Sequence, residues 1–357
     1  MSSRARSTTP SSERSTTPSS ARSTTTDWPA VSAVLTVLNE EHHLRSAVRS
    51  VLAQDYPGPM ELVLALGPSS DRTDDVAAAL AGEDPRVVCV KNPSGRTPEG
   101  LNKALAASHH PIVARVDGHA ELPPDYLRVA VELLQRTDAV NVGGLMWALG
   151  KTDFERSVAR AMTSRFGVGN APFHVGGEEG PADTVYLGVF RREALEQVGG
   201  YDEAFTRAQD WELNYRLRRA GGLIWFSPAL RVSYRPRGSI GSLAGQYFNY
   251  GRWRRELMRR HPTTVSLRYL APPTALLAVS LGLLAGVVGV FAAPLLSWTL
   301  ALPAGYLLGV LAATVATGGG LSWRARLWLP VVYATMHGAW GAGFLSSLKR
   351  YTGHGSP

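Results

Sequence analysis

Five apolar runs of strand length punctuate the first 150 residues: AVSAVLTVL (30–38), MELVLAL (60–66), RVVCV (86–90), PIVARVD (111–117) and AVNVGGLM (139–146). The stretches between them, EEHHLRSAVRSVLAQ, DRTDDVAAALA, PEGLNKALAAS and PDYLRVAVELLQR, change to the spacing of amphipathic helices. Four strand–helix units in succession predict an α/β domain built on a mainly parallel sheet with helices on both faces. Such sheets bind ligands beyond the carboxyl ends of their strands. Asn39, Asp71, Arg96, Asp117 and His119 all fall on loops that follow predicted strands, so they are expected to meet at one rim.

The pattern changes again near residue 271. From Ala271 to Ala293 and from Pro294 to Ala316 no residue is charged, and each run is longer than the roughly 20 residues that span a bilayer core. Both are expected to be transmembrane helices. A third apolar run, Leu327 to Leu348, is interrupted by His337 and several glycines, and its residues fit a third span or a re-entrant or interfacial segment. The domain organisation that follows is a Ser/Thr/Pro/Arg-rich tail over 1–27, a catalytic domain over 28–235, a basic interfacial segment over 236–270, a membrane domain of two to three helices over 271–348, and a short tail over 349–357. Residues 1–26 repeat a phrase beginning RSTT, lack an apolar core of a signal peptide, and are expected to be disordered.

Charge sharpens this division. The net charge of +8 over 357 residues is unevenly spread. Residues 27–234 hold 21 basic and 27 acidic groups, whereas residues 235–268 hold eight Arg against Glu256 alone. This basic belt immediately before the apolar runs points to a membrane surface and not to nucleic acid. With Arg324 and Arg326 between the second and third runs, it places the N-terminal domain on the cytoplasmic side of a cell membrane. Lys349 and Arg350 count against a full third crossing. The single cysteine, Cys89, excludes an internal disulfide and is expected to be a small buried side chain.

The candidate chemistry is limited by what the loops lack. LNEEHH stands where a GxGxxG turn would open the first helix, and GxxxxGK[ST] does not occur. Asp117 and His119, a hard and a borderline ligand two residues apart, could hold Mg or Mn while water and a diphosphate complete the shell. The alternative is an Asp that caps the next turn beside a solvated His.

Seven segments together resemble one family: VLTVLNEE (34–41), SSDRT (69–73), NPSGRTPEGLNKAL (92–105), VDGHAEL (116–122), YLGVFRREALEQVGGYDEAF (186–205), QDWELNYRLRRAG (209–221) and QYFNYGRWR (246–254). From about residue 29 to 255 the chain resembles family 2 glycosyltransferases with a GT-A fold, and among them the ExoA-type membrane-associated enzymes of exopolysaccharide synthesis. The resemblance implies an inverting transferase that moves a sugar from a nucleotide-sugar donor, UDP-linked in the first instance, to a lipid-linked or growing glycan acceptor. It implies a divalent metal at a DxD-like motif that reads Asp117-Gly118-His119 here.

The same resemblance implies that Asp210 in QDWE is the catalytic base, with helix capping as the alternative, and that Gln209 replaces the first acid of the family's pair. Glu212 is expected to interact with its own helix. Asn39, Glu40 and Asp71 correspond to donor-contacting loops, although Leu66-Gly67 stands where an acidic pair belongs, which weakens uracil recognition. Arg96 is a phosphate contact or a solvated arginine. Gln246 with Arg252-Trp253 resembles a widely spaced QxxRW motif at the acceptor and diphosphate, or else an interfacial helix with Trp at the headgroups. A nucleotidyltransferase of related fold and an inert membrane scaffold are the rival classes. The former needs a glycine-rich basic loop after the first strand, and the latter has no use for Asp117 and Asp210 together.

Overall fold

A computed structural model describes residues 28–346. The expected tails fall outside the described residues. Strands β1 (Val31–Val37), β2 (Met60–Leu66), β3 (Val87–Lys91) and β4 (Ile112–Asp117) alternate with helices α1 (Leu44–Leu52), α2 (Thr73–Glu83) and α3 (Thr97–Ala107). β1 is buried at six of its seven positions, as a strand covered on both faces requires. α1 turns Leu44, Ala47, Val48 and Val51 to the core at helical spacing.

After β4 come α4 (Tyr126–Thr137), β5 (Asn141–Ala148), α5 (Asp153–Met162), the single turns α6 (Arg165–Val168) and α7 (Pro172–Val175), β6 (Gly180–Pro181), β7 (Tyr186–Arg191), α8 (Arg192–Gln197), α9 (Gln209–Arg219) and β8 (Ile224–Tyr234). The sheet order is β3-β2-β1-β4-β7-β5-β8-β6. β1 to β4 pair in parallel, whereas β7 inserts antiparallel between β4 and β5. The register sets Thr36 beside Asp117, Val37 beside Leu66 and Leu66 beside Lys91, so the carboxyl ends of the first four strands form one rim.

Cys89 departs from expectation. It lies on β3, an edge strand with only Val87 buried, and is exposed.

Four long helices follow: α10 (Ile240–Arg260), α11 (Leu267–Phe291), α12 (Ala301–Thr317) and α13 (Trp323–Ser346). Two segments, Leu267–Phe291 and Pro294–Thr317, are long and apolar enough to cross a membrane, and little of either is buried within the chain. α13 does not share that character. It buries Leu329, Val332, Tyr333 and Met336 in a cluster with Phe154 and Val158 of α5 and Leu243 and Tyr247 of α10. Polar contacts reinforce the seam: Ser157 donates to the Ala325 carbonyl, and the Ser164 and Tyr333 hydroxyls lie 2.9 Å apart.

The interruptions in the third apolar run therefore have a packing reason. A Cβ on Gly343 would stand 1.9 Å from the Phe248 carbonyl oxygen, and one on Gly251 of α10 would stand 2.0 Å from that of Trp340. Two backbones touch there, and only glycine fits. Gly251→Val is expected to destabilise the chain by about 2–3 kcal/mol through overpacking. Gly245→Ala on the same helix, with nothing within 4 Å of the added Cβ, is expected to be neutral or stabilising by up to about 1 kcal/mol. Thermal unfolding of the detergent-solubilised variants checks the contrast.

Candidate active site

At the rim, the β1–α1 and β2–α2 loops brace each other. Asn39 holds a left-handed backbone (φ 56°), and its Oδ1 accepts from the Ser70 amide at 2.8 Å. The Glu40 amide donates to Thr73 Oγ1 at 2.8 Å. Asp71 accepts from the Thr73 hydroxyl at 2.5 Å and amide at 3.0 Å, and from the Glu41 amide at 3.2 Å. The Thr73 hydroxyl in particular holds the Asp71 carboxyl below its ordinary range. Both side chains thus shape the loop pair, and Asp71 has both oxygens occupied by it.

The floor is Arg115, a cation in the middle of β4 whose side chain is only 7% exposed. Its Nη2 donates to Asp117 Oδ1 at 2.8 Å, and its Nη1 is ion-paired with Asp210 Oδ2. Burial disfavours the guanidinium's charge, but Asp210 and Asp117 outweigh it and hold the group protonated. Asp210 is the second residue of α9. The helix is capped by Ala208 in left-handed conformation, without a side-chain bond, so Asp210 is not its N-cap. Burial pushes the Asp210 carboxyl above its ordinary value, Arg115 opposes this, and Asp117 adds to it. About a third of the side chain (34%) remains open at the rim, while Oδ1 is enclosed and has no hydrogen-bond partner among the described residues.

His119 faces Glu40, with Nδ1 3.0 Å from Oε1. That bond raises the imidazole's proton affinity, against the effect of burial. Asp117 Oδ2 and His119 Nε2 carry no hydrogen bond among the described residues. Among those residues no three His, Cys, Asp or Glu side chains converge as a metal cage. Two open ligands fit a Mg or Mn ion that takes the rest of its shell from water and a diphosphate.

Other expected residues have structural work. Arg96 donates to Glu99 at 2.6 Å and to the Glu203 carbonyl at 2.5 Å, tying α3 to the loop before α9. Asn102 holds the same loop by bonds to the Tyr201 amide and carbonyl, and Gly200 (φ 71°) makes the turn possible because a Cβ would lie 2.7 Å from Asn102 Oδ1. Glu212 is buried and pairs with Arg216 at 2.8 Å, as its helix position suggested. Gln209 is half-buried at the start of α9. Gln246 donates to the Tyr234 and Tyr250 hydroxyls at 2.8 and 2.9 Å. Trp253 is 7% exposed and packs with Phe205 and Leu257, which corrects the reading of this ring as a headgroup anchor. Arg252 beside it is half-buried on α10.

Comparison with known proteins decides the family. A family model described as "Glycosyl transferase family 2" matches residues 32–199. "Succinoglycan biosynthesis protein ExoA" of Rhizobium meliloti (strain 1021) is 33% identical over 306 residues, 83% of this chain and 93% of that protein. The chain belongs to glycosyltransferase family 2. A transferase from Methanococcus voltae, named for a dolichyl N-acetyl-glucosaminyl phosphate acceptor and a diacetamido-glucuronosyl group, is 23% identical over 230 residues, 62% of this chain and 71% of that one. The mannosyltransferase PcManGT from Pyrobaculum calidifontis, solved with GDP-Man and Mn2+, shares the fold at TM-score 0.57 and 20% identity, over 90% of this chain and 88% of its own. The GT-A architecture is thus that of the glycosyltransferase, with two candidate spans appended.

Three parts of the glycosyltransferase rim were not read from the sequence. Arg115 had a signal, since a charged residue inside an apolar run needs a buried partner. Tyr201, buried near Arg115 with its hydroxyl pushed up by burial and by Asp210, sits within a loop motif that disguised it. Arg237 is exposed, forms no ion pair among the described residues, and acts electrostatically on both His119 and Tyr250; nothing in its neighbourhood marks it.

The Arg115 bridge makes a prediction. Arg115→Met leaves two partly buried carboxylates facing each other without their cation and is expected to cost about 1–3 kcal/mol of stability. Adding Asp210→Asn removes one of the stranded charges, so the double variant is expected to be more stable than Arg115→Met alone. Denaturant unfolding followed by circular dichroism measures both.

Proposed function

We propose that the chain is an inverting glycosyltransferase acting at the cytoplasmic face of a membrane, where it adds a single sugar from a nucleotide-sugar donor to a lipid-linked or growing polysaccharide acceptor. The observation that carries this reading is Asp210, a carboxylate paired with Arg115 at the floor while about a third of its side chain (34%) stays open at the rim. An acceptor hydroxyl can reach that open part and give up its proton there. As the acceptor oxygen forms its bond to the anomeric carbon, its proton passes to Asp210 and the bond to the diphosphate breaks, the electron pair leaving with the diphosphate. Arg115 keeps the base within reach of Asp117 and stays charged throughout. Asp117 and His119 would hold a divalent cation, which supplies positive charge opposite the leaving diphosphate. Arg237 adds a second positive charge at the same mouth.

The relatives support an exopolysaccharide role, since the Rhizobium protein is named for succinoglycan biosynthesis. The GDP-Man in the Pyrobaculum structure, together with Leu66-Gly67 in the nucleoside loop, makes GDP-sugars a necessary test beside UDP-sugars. The membrane setting rests on the two apolar helices and on the arginines that precede them, and the cytoplasmic side on the positive-inside rule. Family membership favours this reading over a nucleotidyltransferase or an inert scaffold.

Membranes incubated with labelled UDP- and GDP-sugars, then extracted for lipid and polymer, test the activity. Asp210→Asn is expected to lower transfer by about 10²- to 10⁴-fold, the usual worth of a general base, with nucleoside diphosphate affinity nearly intact; transfer at the wild-type rate would remove Asp210 from this role. Because burial raises its carboxyl and the base must be ionised, kcat is expected to rise with pH through a limb above the ordinary aspartate value of about 3.9. Asp117→Asn is expected to behave oppositely, abolishing the Mn-dependent part of nucleoside diphosphate binding measured by calorimetry.

A further inference from the structure

Away from the rim, one charged cluster has no task in sugar transfer. Trp211 and Arg218 of α9, Arg254 of α10, and Arg268 and Tyr269 in the first turn of α11 gather near Asp183. The Arg254 guanidinium carbon lies 4.6 Å from the Trp211 ring centre and 4.0 Å from that of Tyr269. Its Nη1 is buried without a hydrogen-bond partner among the described residues, as is Arg218 Nε. The one carboxylate, Asp183, pairs with Arg218 at 3.2 Å and Arg268 at 3.7 Å and is itself 58% exposed.

Two of the three guanidiniums therefore share a single acid, Arg254 pairs with no carboxylate among the described residues, and two buried N–H groups lack acceptors there. Leaving such donors unmet is costly, and burial pushes the Arg254 guanidinium down to about 10, so it is still charged at neutral pH. A guanidinium fixed between two rings is preorganised for a tetrahedral oxyanion, which offers several acceptor oxygens at once. The cluster's position supplies the source of that anion. Arg268 and Tyr269 begin the first candidate span, so the cluster stands where that helix enters the apolar layer, at the depth of lipid phosphates. Trp211 directly follows Asp210, and consecutive helical residues point about 100° apart, which puts this site on the neighbouring face of α9 from the base.

We propose that the Trp211–Arg254–Tyr269 cluster, with Arg218 and Arg268, is a binding site for the phosphate of a lipid headgroup. This rests on the membrane-associated reading of the chain, but not on its sugar-transfer chemistry.

The test is calorimetric titration of the full-length protein in uncharged detergent with dioctanoyl phosphatidic acid, dioctanoylglycerol and inorganic phosphate in turn. Phosphatidic acid is expected to bind saturably. Its affinity should fall by at least about tenfold in Arg254→Gln and in Arg268→Gln, the loss of roughly one charge-assisted bond. Dioctanoylglycerol should not bind. Equal affinity in wild type and both variants, or equal binding of dioctanoylglycerol, overturns the site. Inorganic phosphate binding as tightly as the lipid overturns the lipid assignment in favour of a free-anion site. Nucleoside diphosphate binding by each variant reports whether the fold survives. Should Arg254→Gln fail to fold, the exposed Arg268→Gln decides alone. Sugar transfer is assayed separately, so loss of lipid binding with transfer intact, and the converse, separate this proposal from the enzymatic one.

Discussion

A single buried cation organises the rim. Arg115 stands inside β4 with its side chain only 7% exposed, and a charge so placed is tolerable only against opposite charge. Asp117 comes from the end of the same strand, two residues on, and Asp210 comes from α9, after the antiparallel β7 has carried the chain across the sheet. The need to neutralise Arg115 thus couples the first half of the domain to the second. The two carboxylates meet it differently: Asp117 accepts through Oδ1, and Asp210 pairs through Oδ2 while its Oδ1 has no hydrogen-bond partner among the described residues.

The loops around this pair are held by rigid, local chemistry. Asn39 and Asp71 lock the first two loops together, and Arg96 and Asn102 fasten the loop that leads into α9. These residues match the family's motifs, yet their contacts are with the protein. Residues of this kind fix where the floor's charges sit. The α10–α13 seam is built by the same close fit, since the two backbones touch at Gly251 and Gly343.

Much of this was legible in the sequence. Periodicity gave β1 to β5 and the helices between them because β1, β2, β4 and β5 are largely buried apolar runs and helices such as α1 and α4 carry a one-sided stripe, and the rule that ligands gather at carboxyl ends brought Asp117 and His119 to the rim. β7 was not legible: Gly188 and the left-handed Leu187 break its strand signature, and its place between β4 and β5 depends on long-range pairing. Asp210 was reached by resemblance to a family, since no spacing links it to Asp117 ninety-odd residues earlier. Cys89 was misplaced, and the headgroup alternative for Trp253 fell, because sequence shows polarity but not which strand lies at an edge or what covers a ring.

The most direct measurement of the central claim is an experimental structure of the full chain with a nucleoside diphosphate and Mn, with the metal located by anomalous scattering. The expected result is an anomalous peak within about 2.0–2.6 Å of the free Asp117 oxygen, with Asp210 off the metal and still paired with Arg115. A peak on Asp210, or an Arg115 detached from both carboxylates in the loaded state, would contradict it.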